Sequence, residues 1–297
     1  MIQSKLVGAL CALGGFPLWM GVCAAQDAVP AAPGSESAAA ETPAPAPVST
    51  AKADGETGAT DDTAVSRNRK EDASADRGFF NSHAETLRQG DIAVNSYELL
   101  FLGVSGGITD SLELSLTSLL PVVSEMPTVL LFQGKYAFFR NDRTTISARG
   151  NFSYFGETVD TGEGNHTAHA LLFGAGVAID HFVDEGGKFA LHAALAAQGV
   201  SGDVDGDLSL GSGALISMEA GLTGRVSKRL KLLVDVLLPA AYSHSKLSIA
   251  EAALFTYGVR FHGEDLAADL GFMRPIGNVD TGSLVMGIPW VAFSARF

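Results

Sequence analysis

Cysteine is nearly missing. The chain of 297 residues holds two, Cys11 and Cys23, both within its first 25 positions. If that stretch is removed, no disulfide framework, cysteine nucleophile or thiolate metal site remains. Basic charge is also scarce: 20 Lys and Arg stand against 33 Asp and Glu, a net charge of −13. No basic stripe is available to neutralise phosphates, which excludes a nucleic-acid binder. Hydrophobic residues make up 46% of the chain and charged ones only 18%. Yet beyond the N-terminus there is no run of the roughly 18 apolar residues that a spanning helix needs. High apolar content without long runs fits alternating strands.

What is present begins with Lys5, then Leu6-Val-Gly-Ala-Leu-Cys-Ala-Leu13, Phe16-Pro-Leu-Trp-Met-Gly-Val22 and Cys23-Ala-Ala25. A basic start, an apolar middle and a small-residue end read as a secretory signal over residues 1–25, cleaved after Ala24 or Ala25. Lipidation of Cys23 is the lesser reading, because Val22 is larger than the small residue usual there. Residues 26–77 are rich in Ala, Pro, Ser, Thr and acids, as in Pro43-Ala-Pro-Ala-Pro47, and hold no aromatic. Such a composition buries too little apolar surface to offset chain entropy, so this stretch is expected to be a disordered tail. Its cluster Arg67-Asn-Arg-Lys70 reads as a solvated charge run.

The barrel-like pattern occupies residues 78–297. Leu112, Leu114 and Leu116 alternate with Glu113, Ser115 and Thr117. The same period of two recurs in Thr145–Tyr154, Lys188–Leu195, Leu230–Val236 and Phe255–His262, and ends in Val285–Phe297. Less regular strands read over Tyr97–Gly103, Leu130–Phe139, Leu171–His181, Ile216–Arg225 and Leu266–Phe272. Short connectors such as Arg140-Asn-Asp-Arg143 and Ser227-Lys-Arg229 alternate with longer, acidic ones such as Ser201-Gly-Asp-Val-Asp-Gly-Asp207. Strict short–long alternation suits a transmembrane barrel and has no reason to persist in a Greek-key sandwich. Eleven strands run from Asp91 to Phe297 in this reading. An even number is needed, and Phe79–Leu87 is taken as the twelfth, with ten strands as the alternative.

A Lys or Arg facing the bilayer midplane costs roughly 2–4 kcal/mol. Lys135, Arg149, Lys188, Lys231 and Arg260 are therefore expected in the lumen, together with Glu113, His192, Glu219, Arg225, Asp235 and Asp269. A lumen carrying both signs can pair its charges across the interior. Small residues on inward faces, such as Gly174, Gly176 and Ala178, are expected to let the wall curve or approach other groups.

The alternating last strand ending on Phe297, the signal and the turn pattern resemble bacterial outer-membrane β-barrel proteins. The resemblance covers residues 79–297 and is architectural. It implies an all-β, antiparallel up-and-down transmembrane barrel in the outer membrane of a Gram-negative envelope. The N-terminal tail and the C-terminus would then be periplasmic. It also implies outer-membrane lipid as the surroundings, and recognition of the last strand, with Phe293 and Phe297, by the barrel-assembly machinery.

No catalytic, cofactor or metal site is assigned from the sequence. Asp203-Val-Asp-Gly-Asp207 opens like a calcium loop but has Leu208 and Ala214 where Gly and Glu are required. Small solutes or divalent cations at the acidic loops are thus the extent of the ligand expectation. Gly174-Ala-Gly-Val-Ala-Ile179 lacks the third Gly and the helix of a dinucleotide site. Tyr242-Ser-His-Ser245 has no orienting acid or oxyanion hole to complete a triad. Of the seven histidines, His169, His192 and His262 are expected to face the lumen, at spacings that match no metal motif. The leading expectation is a narrow pore or solute-transport barrel with a mixed-charge lumen, which its own N-terminal tail could close. The second is a structural or interaction barrel with a plugged lumen and acidic external loops. An outer-membrane enzyme is third.

Overall fold

The computed structural model describes residues 63–78, 83–120, 127–160, 165–204, 208–243, 246–249, 252–277 and 287–297. The signal, Cys23 and the tail up to residue 62 lie outside the described residues. So do the centres of the Asp203–Asp207 and Tyr242–Ser245 stretches.

The described chain opens with one helix, α1 (Ala64–Glu71). Strands follow as β1 (Ile92–Tyr97), β2 (Phe101–Thr109), β3 (Leu112–Leu119), β4 (Thr128–Arg140), β5 (Thr144–Asp160) and β6 (Asn165–Phe182). They continue as β7 (Phe189–Val204), β8 (Leu208–Ser227) and β9 (Leu230–Ser243). Strand β10 has two pieces, Lys246–Ile249 and Ala252–His262, both paired to β9. Then come β11 (Leu266–Gly277) and β12 (Ile288–Arg296). Each strand pairs antiparallel with its sequence neighbour, and β12 returns to β1 through Ala93↔Arg296 and Tyr97↔Ala292. The result is a closed barrel of twelve strands without a free edge.

The wall is inside out compared with a soluble domain. On β3, Leu114 and Leu116 are exposed while Glu113, on the opposite face, is buried. On β6, Phe173, Val177 and Ile179 are exposed while Asp180 is 2% accessible. A soluble monomer seldom shows a continuous apolar surface of this kind, whereas a bilayer requires it. The barrel is therefore a transmembrane one. Its strands are uneven: β1 has 6 residues and β8 has 20. About 9–11 residues suffice to span a bilayer. The long β5–β8 hairpins thus extend beyond the height of β1–β3 at the end away from the chain termini.

The twelfth strand is not where the alternation placed it. Residues 83–87 are not a strand; they lie inside the barrel. The extra strand arises from a turn at Glu98–Leu100, which splits Ile92–Thr109 into β1 and β2. Glu98 and Leu99 both adopt left-handed backbone angles, φ 52° and 59°. Hairpin positions at such angles normally carry Asn or Gly. The sequence here offers neither, so the turn leaves no local signal. Glu98 is tied down by β12, donating its N–H to Val291 O at 2.8 Å and accepting from Val291 N at 2.7 Å.

A second correction concerns the tail. Within the stretch read as disordered, residues 64–71 form α1 and residues 72–78 are buried. Thr63 caps the helix by accepting from Ser66 N at 3.1 Å. Arg69 and Lys70 stand in the last turn, where cations suit the helix dipole. Gly107 on β2 makes room for the chain as it leaves the interior. A Cβ there would lie 2.0 Å from Arg88 O.

Candidate functional site in the plugged lumen

The inward faces of the strands meet residues 63–78 and 83–90 as a plug, through many polar junctions. Asp72, directly after α1, is the first. Its carboxylate accepts from Lys231 Nζ on β9 at 2.5 Å and lies 3.6 Å from the Arg260 guanidinium on β10. Lys231 also donates to Asn68 Oδ1 at 2.6 Å. Burial alone would push the Asp72 carboxyl up. Lys231 and Arg260 outweigh burial and hold it well below the usual carboxylate range.

Arg260 is 1% accessible and lies at the centre of this network. It grips Asp269 on β11 with two bonds, 2.7 and 2.9 Å, in the fork geometry that a guanidinium favours. Its remaining N–H groups donate to the plug carbonyls of Ser74 and Arg77 at 2.7 and 2.9 Å. Arg77 of the plug reaches the same Asp269 at 2.9 Å and Ser294 Oγ at 2.7 Å, and lies over the Tyr97 ring. Two guanidinium groups thus share one carboxylate.

Glu85 is a second acid of the plug, held between Arg140 of the wall and Arg69 of α1. Arg140 and Arg69 lie 3.5 and 3.8 Å away, and Thr145 donates its hydroxyl. Burial dominates and raises the Glu85 carboxyl above its ordinary value. Lys135 donates to the carbonyls of Asp76 and Glu85 at 2.9 and 2.5 Å and lies 3.4 Å from Glu113. Glu113 accepts in turn from Leu87 N at 2.9 Å.

The end of α1 is closed in the same way. The last carbonyls of a helix have no partner within it. Arg296 donates to Arg69 O and Lys70 O at 2.5 and 2.7 Å, and His262 Nδ1 lies 3.0 Å from Glu71 O. Arg225 pairs with Glu71 at 2.6 Å. Apolar packing is also present among the described residues, with Ala64 and Val65 of α1 clustered against Phe182 and Ala190 of the wall.

A third group joins plug and wall around Asp180 on β6. Its Oδ2 accepts from Ala84 N and Glu85 N at 2.9 and 3.2 Å. Its Oδ1 lies 2.9 Å from His192 Nδ1 on β7, and His192 Nε2 lies 2.9 Å from Thr223 Oγ1 on β8. The His83 ring of the plug stacks on His192, centroids 3.8 Å apart and nearly parallel. Burial and the neighbouring His192 lower the His83 pKa well below its ordinary value.

Of the charged residues expected inside, Glu113, Lys135, Lys231, Asp235, Arg260 and Asp269 are buried. Arg225 and His192 are partly buried and touch the plug. Arg149 and Glu219 pair with each other across the lumen at 2.7 Å. Lys188 departs from the expectation: it precedes β7 in a turn and is exposed at the rim. His169 lies 2.8 Å from the Tyr154 hydroxyl. Phe293 and Phe297 are exposed on the outer face. The charges were expected to pair across an interior and instead pair mostly with the plug. Asp72, Arg77, His83, Glu85 and Asp180 were not among the sequence candidates. One signal was available: no Pro occurs between Pro47 and Pro121, while charge becomes dense from Arg67 onward.

No protein-family model matches the chain, and no curated protein sequence matches it. Among solved structures it is similar to the outer-membrane expressed OmpT of Vibrio cholerae. Identity is 11% and the TM-score 0.37, over 66% of this chain and 64% of that one. It is also similar to the NanC porin, at 10% identity and TM-score 0.37 over 69% and 97% of the two chains. The CymD monoaromatic hydrocarbon channel matches at 8% and 0.37, over 71% and 89%. At such overlap the likeness carries nothing about what this lumen admits.

Proposed function

We propose that the protein is an outer-membrane transport barrel closed by a removable plug, built from residues 63–78 and 83–90 of its own chain, with both termini on the periplasmic side. The observation that carries this reading is the chemistry of the plug seat. Plug and wall meet through the ion pairs Asp72–Lys231, Arg260–Asp269–Arg77, Glu85–Arg140 and Glu71–Arg225. Charges buried in this way gain little net stability, because their desolvation offsets their attraction. An apolar seat would resist parting, since parting would wet it. A polar seat presents water-compatible faces on both sides once it opens. A solute that passes would meet a lumen lined by Lys135, Arg149, Lys231 and Arg260 as well as by Glu113, Glu219 and Asp269, a surface suited to small polar molecules. No catalytic role is part of this reading.

The test is planar-bilayer conductance of the chain from residue 26 onward against the same chain without residues 26–87. The intact form should be closed most of the time and the shortened one should conduct steadily. A shortened barrel that keeps its strand content in circular dichroism yet passes no current would favour a structural barrel.

A further inference from the structure

His83, Asp180 and His192 come from three separate places: the plug, β6 and β7. Asp180 and His192 face each other as register partners, and His83 is delivered to them from the lumen. Their donor atoms all lie within 4.8 Å of one another. All three are largely withdrawn from solvent, with His83 at 5% and Asp180 at 2% accessible. We propose that these three residues form a binding site for a divalent transition ion of the zinc type, bridging plug and wall.

Two imidazoles and one carboxylate are a donor set for zinc and its neighbours. Calcium and magnesium would call for more oxygen donors. Three protein ligands leave a fourth position, and the site adjoins a small crevice lined by His83, His192 and Thr223 that can supply a water. The carboxylate is already oriented: Ala84 N and Glu85 N hold its second oxygen and leave the first towards His192. Such support around a ligand raises affinity. With donor distances of about 2 Å required, the His83 ring must turn out of its stack on His192 to bind. The ion would thereby fasten the plug, because one ligand belongs to the plug and two to the wall. The inference concerns binding alone and holds whether or not the barrel conducts.

The experiment is titration of Co²⁺ into the chelator-treated chain from residue 26, folded in detergent, followed by displacement with Zn²⁺. The expected result is one ion per barrel with the visible absorption of four-coordinate Co²⁺. His83→Ala and His192→Ala should each weaken binding by about 100-fold or more. His83 is outside the wall, so His83→Ala is expected to keep the strand signal in circular dichroism, which is recorded alongside. Absence of binding to the unaltered chain would overturn the proposal. Binding that persists unchanged in both variants would also overturn it, by assigning the ion to other groups.

Discussion

Asp72 shows what one side chain contributes to the closed state. It faces Lys231 and Arg260 in the lumen, and its carboxyl is held well below its ordinary range. The seated plug therefore binds fewer protons at this group than the released plug. The contribution is complete above the released pKa of about 4 and is lost as pH falls below it. Protection of the plug from an acid-tolerant protease should decline across that window. Asp72→Asn should flatten this dependence and weaken seating at neutral pH by about 3–5 kcal/mol, since Lys231 keeps a buried charge. Arg260→Ala removes the centre of the network and leaves Asp269 with Arg77 alone. A loss of similar size, about 3–5 kcal/mol, is expected, read as plug cleavage at lower protease concentration.

At the scale of the element, the first hairpin and the helix explain what could and could not be read from sequence. Strands such as Leu112–Leu119 were legible because a bilayer and a polar lumen impose opposite chemistry on alternate residues. The β1–β2 turn was not, because Glu98 and Leu99 occupy left-handed angles that local preference gives to Gly or Asn. Its conformation is set by β12 through Val291. Leu99→Gly should accordingly stabilise the barrel by up to about 1 kcal/mol, measured as a raised unfolding temperature. Helix α1 was hidden for a different reason. Its sequence is too polar to bury itself by apolar packing, which is why composition alone pointed to disorder. Partners 154 and 227 residues away in sequence, Arg225 and Arg296, supply what local sequence lacks. Thr63→Ala should remove the cap and cost about 1 kcal/mol of plug seating.

For the whole molecule, the lumen charges show how a correct location can come with the wrong partner. The bilayer cost placed Lys135, Lys231 and Arg260 inside, and they are inside. That cost is silent about what they meet. The plug that satisfies them enters from the terminal end, and its covalent link to β1 through residues 88–91 keeps it beside its seat. Ala73 N donates to Gly263 O in the β10–β11 turn at 2.9 Å, so the two backbones touch at the rim. Chain from residue 26 onward contains no cysteine. An Ala73→Cys, Gly263→Cys pair therefore forms a lock that can be switched by oxidation without competition from other thiols. Single-channel recording of this variant in mild denaturant tests the removable plug most directly. The account predicts silence when the pair is oxidised and openings after reductant is added. Equal conductance in the two states would contradict it.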